Sequence, residues 1–393
     1  MRNAIIGIVI GCVIGVMIGA TVIAPRLDEA KQALTGRNAM GQLKRPDIST
    51  LPERDNAGIS PESISESSTQ ENTVSKWRMI SEFPESLPQL GTMATRIAQK
   101  VWEISGGELE ITSFGPGKLV SDKEILNAVS SGAVEAAFST PDAWADKAPA
   151  LQLFSAIPFG PEPGEFLAWY TYGGGKAFFE ELLDENGMYG MPCGMIAPEA
   201  SGWFRDPITS PGEMTGLRMH ATGLGAQVLE KLGVHVENKQ GGDLFMALES
   251  GSLDGVEFSM PAIDLKLGFH KLARHYYFPG WHQPTGVFNL IIHKPSWDSL
   301  SKRRKAQIES VCGDNIRFGL AEGEALQYSA LKEITKLGVK IHQWPTPFLT
   351  TFKSTWLELA SEISESDDTF RRVWDSLRTF RRNYAIWSEI ARP

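Results

Sequence analysis

From residue 76 onward, short apolar runs alternate with stretches of helical periodicity, which predicts an α/β protein. Trp77-Arg78-Met79-Ile80 reads as a first strand, and a helix follows over about 88–105 with Leu90, Met93, Ile97 and Val101 near one face. Gly106-Gly107 ends that helix. Leu109–Phe114 alternates as a second strand, and Gly115-Pro116-Gly117 supplies the turn after it. Gly223-Leu224-Gly225 opens a further helix whose N-terminal amides would face a ligand. Beyond Trp297 the pattern is strongly helical: 302–337 is long enough for one extended helix, and Trp356, Trp374 and Trp387 mark further amphipathic segments.

One local pattern occurs twice. Residues 128–137 (AVSSGAVEAA) are echoed by 247–256 (ALESGSLDGV), each reading as helix, glycine stop and short strand, with the strand ending at Phe138-Ser139 or Glu257-Phe258. Glycine closes each helix because it adopts the left-handed conformation without steric cost. One such unit in each of two lobes would bring two strand ends to one crevice, where open α/β sheets bind ligands. The alternative is a common local pattern met twice.

Ala4–Ala24 contains 21 residues without a charge, which as a helix would be about 31 Å long and could cross a hydrocarbon layer of about 30 Å. Its length favours a retained anchor over a signal peptide, although cleavage after Ala20 is the competing reading. Gly7, Gly11, Gly15 and Gly19 would line one helix face. They either pair two anchors into a homodimer or reflect the frequency of glycine in membrane segments. Residues 26–75 turn polar and rich in Ser, Glu, Asn and Pro, a composition that reads as a flexible tether.

At 393 residues the chain exceeds what one core serves efficiently, so two lobes plus appendages are expected. The net charge of −9 argues against nucleic-acid binding. Cys193 and Cys312 lie in apolar stretches, and two buried free thiols are the favoured reading over a disulfide. The chain has no phosphate loop, no His-Glu-x-x-His and no Gly-x-Ser-x-Gly turn. His270, His275 and His282 do not share a helical face at metal spacing and read as surface or structural residues.

Residues 199–205 (EASGWFR), 216–220 (GLRMH), 242–248 (GDLFMAL), 254–258 (DGVEF), 267–269 (LGF) and 276–282 (YYFPGWH), together with 147–151 (KAPAL), occur in an order that resembles the binding proteins of tripartite ATP-independent periplasmic (TRAP) transporters. The likeness runs over about 76–390 and points to the branch that includes 2-oxo-acid binders and mannitol or chloroaromatic components. It implies a two-lobed periplasmic binding protein fold with discontinuous lobes that close on a ligand by hinge motion. Lobe I would be 76–197 with a return segment at about 286–300, and lobe II 198–285. A long bracing helix and a helical C-terminal tail over 301–393 would support both, and a transmembrane helix over 1–25 would precede them. The closed form would dock on permease membrane subunits; a tethered sensor or scavenger is the alternative, and an enzyme on this scaffold is disfavoured.

In the 2-oxo-acid branch an arginine pairs with the ligand carboxylate, while a glutamine, a glutamate and the next residue's carbonyl hold a cation. Here His220 stands at the arginine position, Glu199 at the glutamine and Phe258 at the tryptophan after the glutamate. Gln283 replaces the glutamate of a later Gly-Trp-His-Glu stretch, and Asp142-Ala143 replaces a tyrosine pair ahead of Trp144. Glu257 alone is unchanged. The resemblance therefore implies substrate contacts at Glu199, His220, Phe258, Gln283 and Trp144, and a sodium or calcium site made of Glu199, Glu257 and Phe258.

A neutral histidine in place of arginine forfeits a charge-assisted hydrogen bond of roughly 1.5–3 kcal/mol, about ten- to a hundredfold in affinity, which argues against a plain 2-oxo acid. Arg218, two residues earlier on the same strand, either substitutes for it or points to solvent. Oxygen-only ligation between two carboxylates suits a hard cation. Glu199 would otherwise face solvent or pair with Arg205. Trp144, Trp203 and Trp281 are either ligand walls or core residues.

Overall fold

The computed structural model describes residues 74–239 and 241–392. The expected anchor over 1–25, its glycine-lined pairing face and the tether over 26–75, apart from its last two residues, lie outside them. Among the described residues no helix is long and apolar enough to cross a membrane. Ser75, expected at the end of the tether, already belongs to the first strand, and its N–H donates to the Glu108 carbonyl.

The strands, in chain order, are β1 (Ser75–Ser81), β2 (Leu109–Phe114), β3 (Ala136–Ser139), β4 (Met188–Ile196), β5 (Gly202–Phe204), β6 (Arg218–His220), β7 (His235–Val236), β8 (Gly255–Val256), β9 (His275–Phe278), β10 (Gly286–His293) and β11 (Lys340–Gln343). They form two sheets, ordered β2-β1-β3-β10-β4 and β11-β9-β5-β8-β6-β7. In the first, β1 runs parallel to β2 and β3, while β10 is antiparallel to β3 and β4. β4 and β10 are buried along almost their whole length, as expected of strands covered on both faces. The chain leaves the first sheet after β4, builds most of the second, and returns through β10 to lie between β3 and β4.

The repeated unit contributes one strand to each sheet. Helix Ile125–Ser130 is followed by Gly132 at φ 73° and then by β3. Helix Gly241–Ser250 is followed by Gly251 at φ 74° and then by β8. The first long helix spans Leu90–Ser105 and begins two residues later than the periodicity predicts.

Helix Lys302–Lys336 touches both halves of the core. Ile308, Val311 and Cys312 pack with the first sheet's residues, whereas Ile334 packs with Trp203, Leu248 and Tyr276 of the second. Gly319 permits the close approach: a β-carbon there would stand 2.5 Å from Met93 Sδ and 2.8 Å from the Met195 carbonyl. One turn away, Asn315 donates to the carbonyls of Cys193 at 2.7 Å and Met93 at 3.3 Å.

The expectation of free thiols is corrected here. Cys193 on β4 and Cys312 on this helix form a disulfide, with their Cα atoms 4.1 Å apart. The partners are 119 residues apart in sequence, and it is the packing of the helix across β4 that brings them together.

Helices Thr346–Ser366 and Asp368–Ala391 complete the fold. Phe352 of the first stacks on Trp281 with ring centroids 4.6 Å apart. Ser376 of the second accepts the Trp169 indole N–H at 3.2 Å. Asp367 caps the last helix, accepting from the Phe370 N–H at 2.6 Å.

Candidate functional site

Glu257 lies just past the end of β8, where its N–H continues the ladder by donating to the His220 carbonyl at 2.9 Å. Glu199 follows β4, and its backbone runs beside the loop that leaves β9. The Glu199 N–H donates to the Gln283 carbonyl at 3.3 Å, and the Glu199 carbonyl accepts from the Gly280 N–H at 2.9 Å. Gly280 allows this pairing, because a β-carbon there would stand 2.4 Å from the Glu199 carbonyl oxygen. The loop then presents His282, and helix Gly223–Lys231 closes over it at Gly225, where a β-carbon would meet His282 Cβ at 2.7 Å.

These segments bring Glu199, Glu257 and His282 together. His282 Nε2 stands 3.3 Å from Glu257 Oε1 and 3.7 Å from Glu199 Oε2. All three residues are buried, and their ligand atoms lie within 4.8 Å of one another. Ser259 Oγ donates to Glu199 Oε1 at 2.8 Å, while Glu199 Oε2 and His282 Nε2 have no hydrogen-bond partner. Burial pushes the Glu199 carboxyl up to about 7. Burial opposes a charge on His282, but the neighbouring Glu257 and Glu199 outweigh it and raise the imidazole to about 9.

The expectation that His282 is a surface or structural residue is corrected in part: the imidazole is buried beside both carboxylates, in a group that could hold a metal ion. The sequence signal was its place in the 276–282 stretch, beside Gln283. Glu199 neither faces solvent nor pairs with Arg205; it is 3% exposed, and Arg205 Nε donates instead to the Leu253 carbonyl.

His220 is buried on β6, and burial lowers its basicity, so the ring is neutral. Its Nδ1 is 3.0 Å from the Glu237 carbonyl. Arg218 is corrected as a substitute for the missing arginine. It lies exposed at the outer start of the same strand, and Asp254 holds its guanidinium at both Nε (3.0 Å) and Nη2 (2.8 Å).

Gln283 is partly buried and offers its backbone carbonyl to Glu199, while its side-chain amide lies against Gly286. Phe258 is partly buried with its ring edge-on to Phe269, centroids 6.2 Å apart. Trp144 is buried with Lys147 Nζ 4.6 Å above its ring. Trp203 is a core residue, stacked on Tyr276 and donating its indole N–H to Asp264 at 2.8 Å. Trp281 lines a cavity of about 10 Å³ with Glu257, His282, Ser201 and Gly225.

Two further carboxylates escaped the sequence reading as a pair. Glu82, at the end of β1, accepts hydrogen bonds from Ser139 Oγ and the Thr140 N–H, and burial followed by the nearby Asp142 pushes it up to about 7. Asp142 accepts from Ser155 Oγ at 3.0 Å, and its other oxygen reaches to 3.4 Å from the β-carbon position of Gly223. Glycines at 223 and 225 thus leave room for the first-sheet side and the second-sheet loop to meet one helix end.

Two sheets that share a bracing helix, with a buried acid–imidazole group on the loops at their strand ends, define the two-lobed α/β class of periplasmic binding proteins. Residues 80–367 match the bacterial extracellular solute-binding protein family 7, and the chain belongs to this family, the solute-binding subunits of TRAP transporters. A monocarboxylate 2-oxoacid-binding periplasmic protein of Nostoc sp. is 30% identical over 334 residues, covering 82% of this chain and 91% of the relative.

Among solved structures, a TRAP transporter solute-binding protein from Bordetella bronchiseptica, with copurified calcium and picolinate in its active site, superposes with a TM-score of 0.79 at 30% identity. That match covers 81% of this chain and 95% of the other. A TRAP periplasmic solute-binding protein from Pseudoalteromonas atlantica with bound sodium and pyruvate gives 0.77 at 27% identity, covering 81% and 97%. The family consists of extracytoplasmic transport binding proteins, so this chain is a transport component and not an enzyme.

Proposed function

We propose that this chain captures a small organic acid around a bound cation and delivers it to the membrane subunits of a TRAP permease. Lobe I (76–197 with the return segment 286–300) closes on lobe II (198–285), and 301–393 braces both. An anchor over 1–25 and a tether running from 26 to the start of β1 hold the protein beside its permease, a reading supported by the uncharged run Ala4–Ala24.

The observation that carries the proposal is the buried Glu199–Glu257–His282 group, whose ligand atoms lie within 4.8 Å of one another. Two buried carboxylates that share one imidazole repel each other, and a bound cation offsets that cost. Relatives that hold sodium with pyruvate, or calcium with picolinate, support a carboxylate solute here. The residues present fit a cation, with Glu199 and Glu257 as its carboxylate ligands; the Phe258 carbonyl would complete the set that the family resemblance implies.

His220 has a different part in this reading. With Nδ1 donating to the Glu237 carbonyl, Nε2 is left as an acceptor. The Lys239 N–H, at 3.3 Å, is the longer competitor for Nδ1. A neutral acceptor does not hold a carboxylate, so the acid group meets the cation and His220 meets a hydroxyl or other donor on the solute.

A thermal-shift screen tests the proposal on the full chain in detergent, using 2-oxo acids, aromatic acids and sugar alcohols. Organic acids raise the unfolding midpoint in a dose-dependent way. Stabilisation by sugar alcohols alone would overturn the acid reading.

A further inference from the structure

We infer that Arg381, on the last helix, is a positioning residue for solute capture: by holding the turn at Phe159-Gly160 it fixes the segment 279–285, which crosses from β9 of the second sheet back to β10 of the first. The inference rests on the proposed capture by closing lobes. It goes beyond it in naming a residue, outside the buried acid group, that sets where this crossing lies.

First-sheet residues hold the crossing along its course. The Phe159 N–H donates to the Trp281 carbonyl at 2.7 Å, and the Val287 N–H to the Ser155 carbonyl at 2.8 Å. Thr285 Oγ1 donates to the Pro161 carbonyl at 2.8 Å. The Phe159 ring stacks on Trp281 with centroids 5.7 Å apart. Trp281 borders the cavity beside Glu257, so the path of this segment sets one wall of the site.

The turn that does the holding is strained. Phe159 has φ 52°, a left-handed backbone that is costly for a residue with a bulky side chain. Gly160 follows under tight packing, since a β-carbon there would stand 2.5 Å from the Ile157 carbonyl. Arg381 offsets that strain. Its Nη1 donates to the Phe159 carbonyl at 2.8 Å and its Nη2 to the Gly160 carbonyl at 3.1 Å, while Nε donates to Glu165 at 3.2 Å. A planar guanidinium presents these donors as one rigid fork, which a lysine cannot reproduce. Docking of the last helix has other supports: Arg372 pairs with Glu181 at 2.9 Å, and Ser376 accepts from Trp169 and donates to the Gly173 carbonyl.

Amide hydrogen exchange on the folded full chain in detergent tests this without any solute. Arg381→Ala should speed exchange at the Phe159 and Val287 amides by about tenfold or more, the worth of a charge-assisted contact. Arg381→Lys, which keeps the charge but not the fork, should give a smaller change at the same two amides, and it carries the comparison where Arg381→Ala does not fold. Faster exchange confined to the helix Asp368–Ala391, with those two amides unchanged, would overturn the inference.

The strain supplies a second check. Glycine adopts a left-handed backbone freely, so in a Phe159→Gly background Arg381→Ala should alter Val287 exchange by no more than about twofold. An equal effect in both backgrounds would also count against the positioning role. Calorimetry with 2-oxobutyrate and benzoate then reads the consequence: whichever acid binds the wild type should bind Arg381→Ala about tenfold more weakly, and equal affinity would overturn the inference. A wild type that binds neither acid counts against the capture reading, while the exchange result still judges Arg381.

Discussion

Gln227 donates its side-chain amide to the Gln152 side-chain oxygen at 2.8 Å, tying helix Gly223–Lys231 to the turn Pro149–Phe154, and Gln152 is only 3% exposed. The bond joins the helix that covers His282 to the first-sheet side of the molecule. Gln227→Ala would leave a buried acceptor short of a partner, at a cost of about 1–3 kcal/mol to the closed form. Solute affinity should fall by about tenfold. Calorimetry checks this, with the loss expected in the equilibrium dissociation constant.

The Cys193–Cys312 bond predicts a redox-dependent stability. A crosslink between residues 119 apart restricts the unfolded chain strongly, and its removal is expected to cost about 2–5 kcal/mol. Denaturant unfolding of the wild type with and without reductant, beside the Cys193→Ala/Cys312→Ala double variant, checks it. The reduced wild type and the variant should coincide.

Asp264 predicts a pH dependence. Its carboxyl is fully buried, and burial raises it to about 8 although Trp203 and Tyr276 both donate to Oδ2. The folded state therefore keeps a proton that the unfolded state releases near 4, so this contribution to stability is full at low pH and declines from about 4 to about 8. Asp264→Asn should flatten the fall in unfolding midpoint measured between pH 5 and pH 8.

Arg218 predicts a negative result. Its guanidinium is exposed and engaged by Asp254, away from the buried acids. Arg218→Ala should leave solute affinity within about twofold in a calorimetric titration, as expected for an exposed ion pair remote from the ligand.

These outcomes show what the chain's pattern discloses. The paired units at 128–137 and 247–256 were legible because helix stop and strand are local events, marked by Gly132 and Gly251 at positive φ. Glu257 was legible for the same reason, sitting at the end of the second unit. The long helix was legible to within one residue of its end at Lys336.

What escaped depended on segments meeting in space. His282 joins the acids because Glu199 pairs with Gly280 and Gln283 through backbone bonds, at an approach that Gly280 permits. Cys312 meets Cys193 because a helix crosses β4 where Gly319 thins it. Arg218 and His220 share a strand, yet Asp254, directly before β8, claims the arginine while the histidine is buried. Alternation along a three-residue strand does not decide between such partners.

The most direct measurement is a calorimetric titration of the strongest stabilising acid into the wild-type chain and into Glu257→Gln, with circular dichroism confirming that both are folded. The substitution keeps the shape and removes the charge, so affinity should fall by at least about tenfold, the worth of a charge-assisted contact. Equal affinity in the two proteins would place solute capture somewhere other than beside Glu257 and His282.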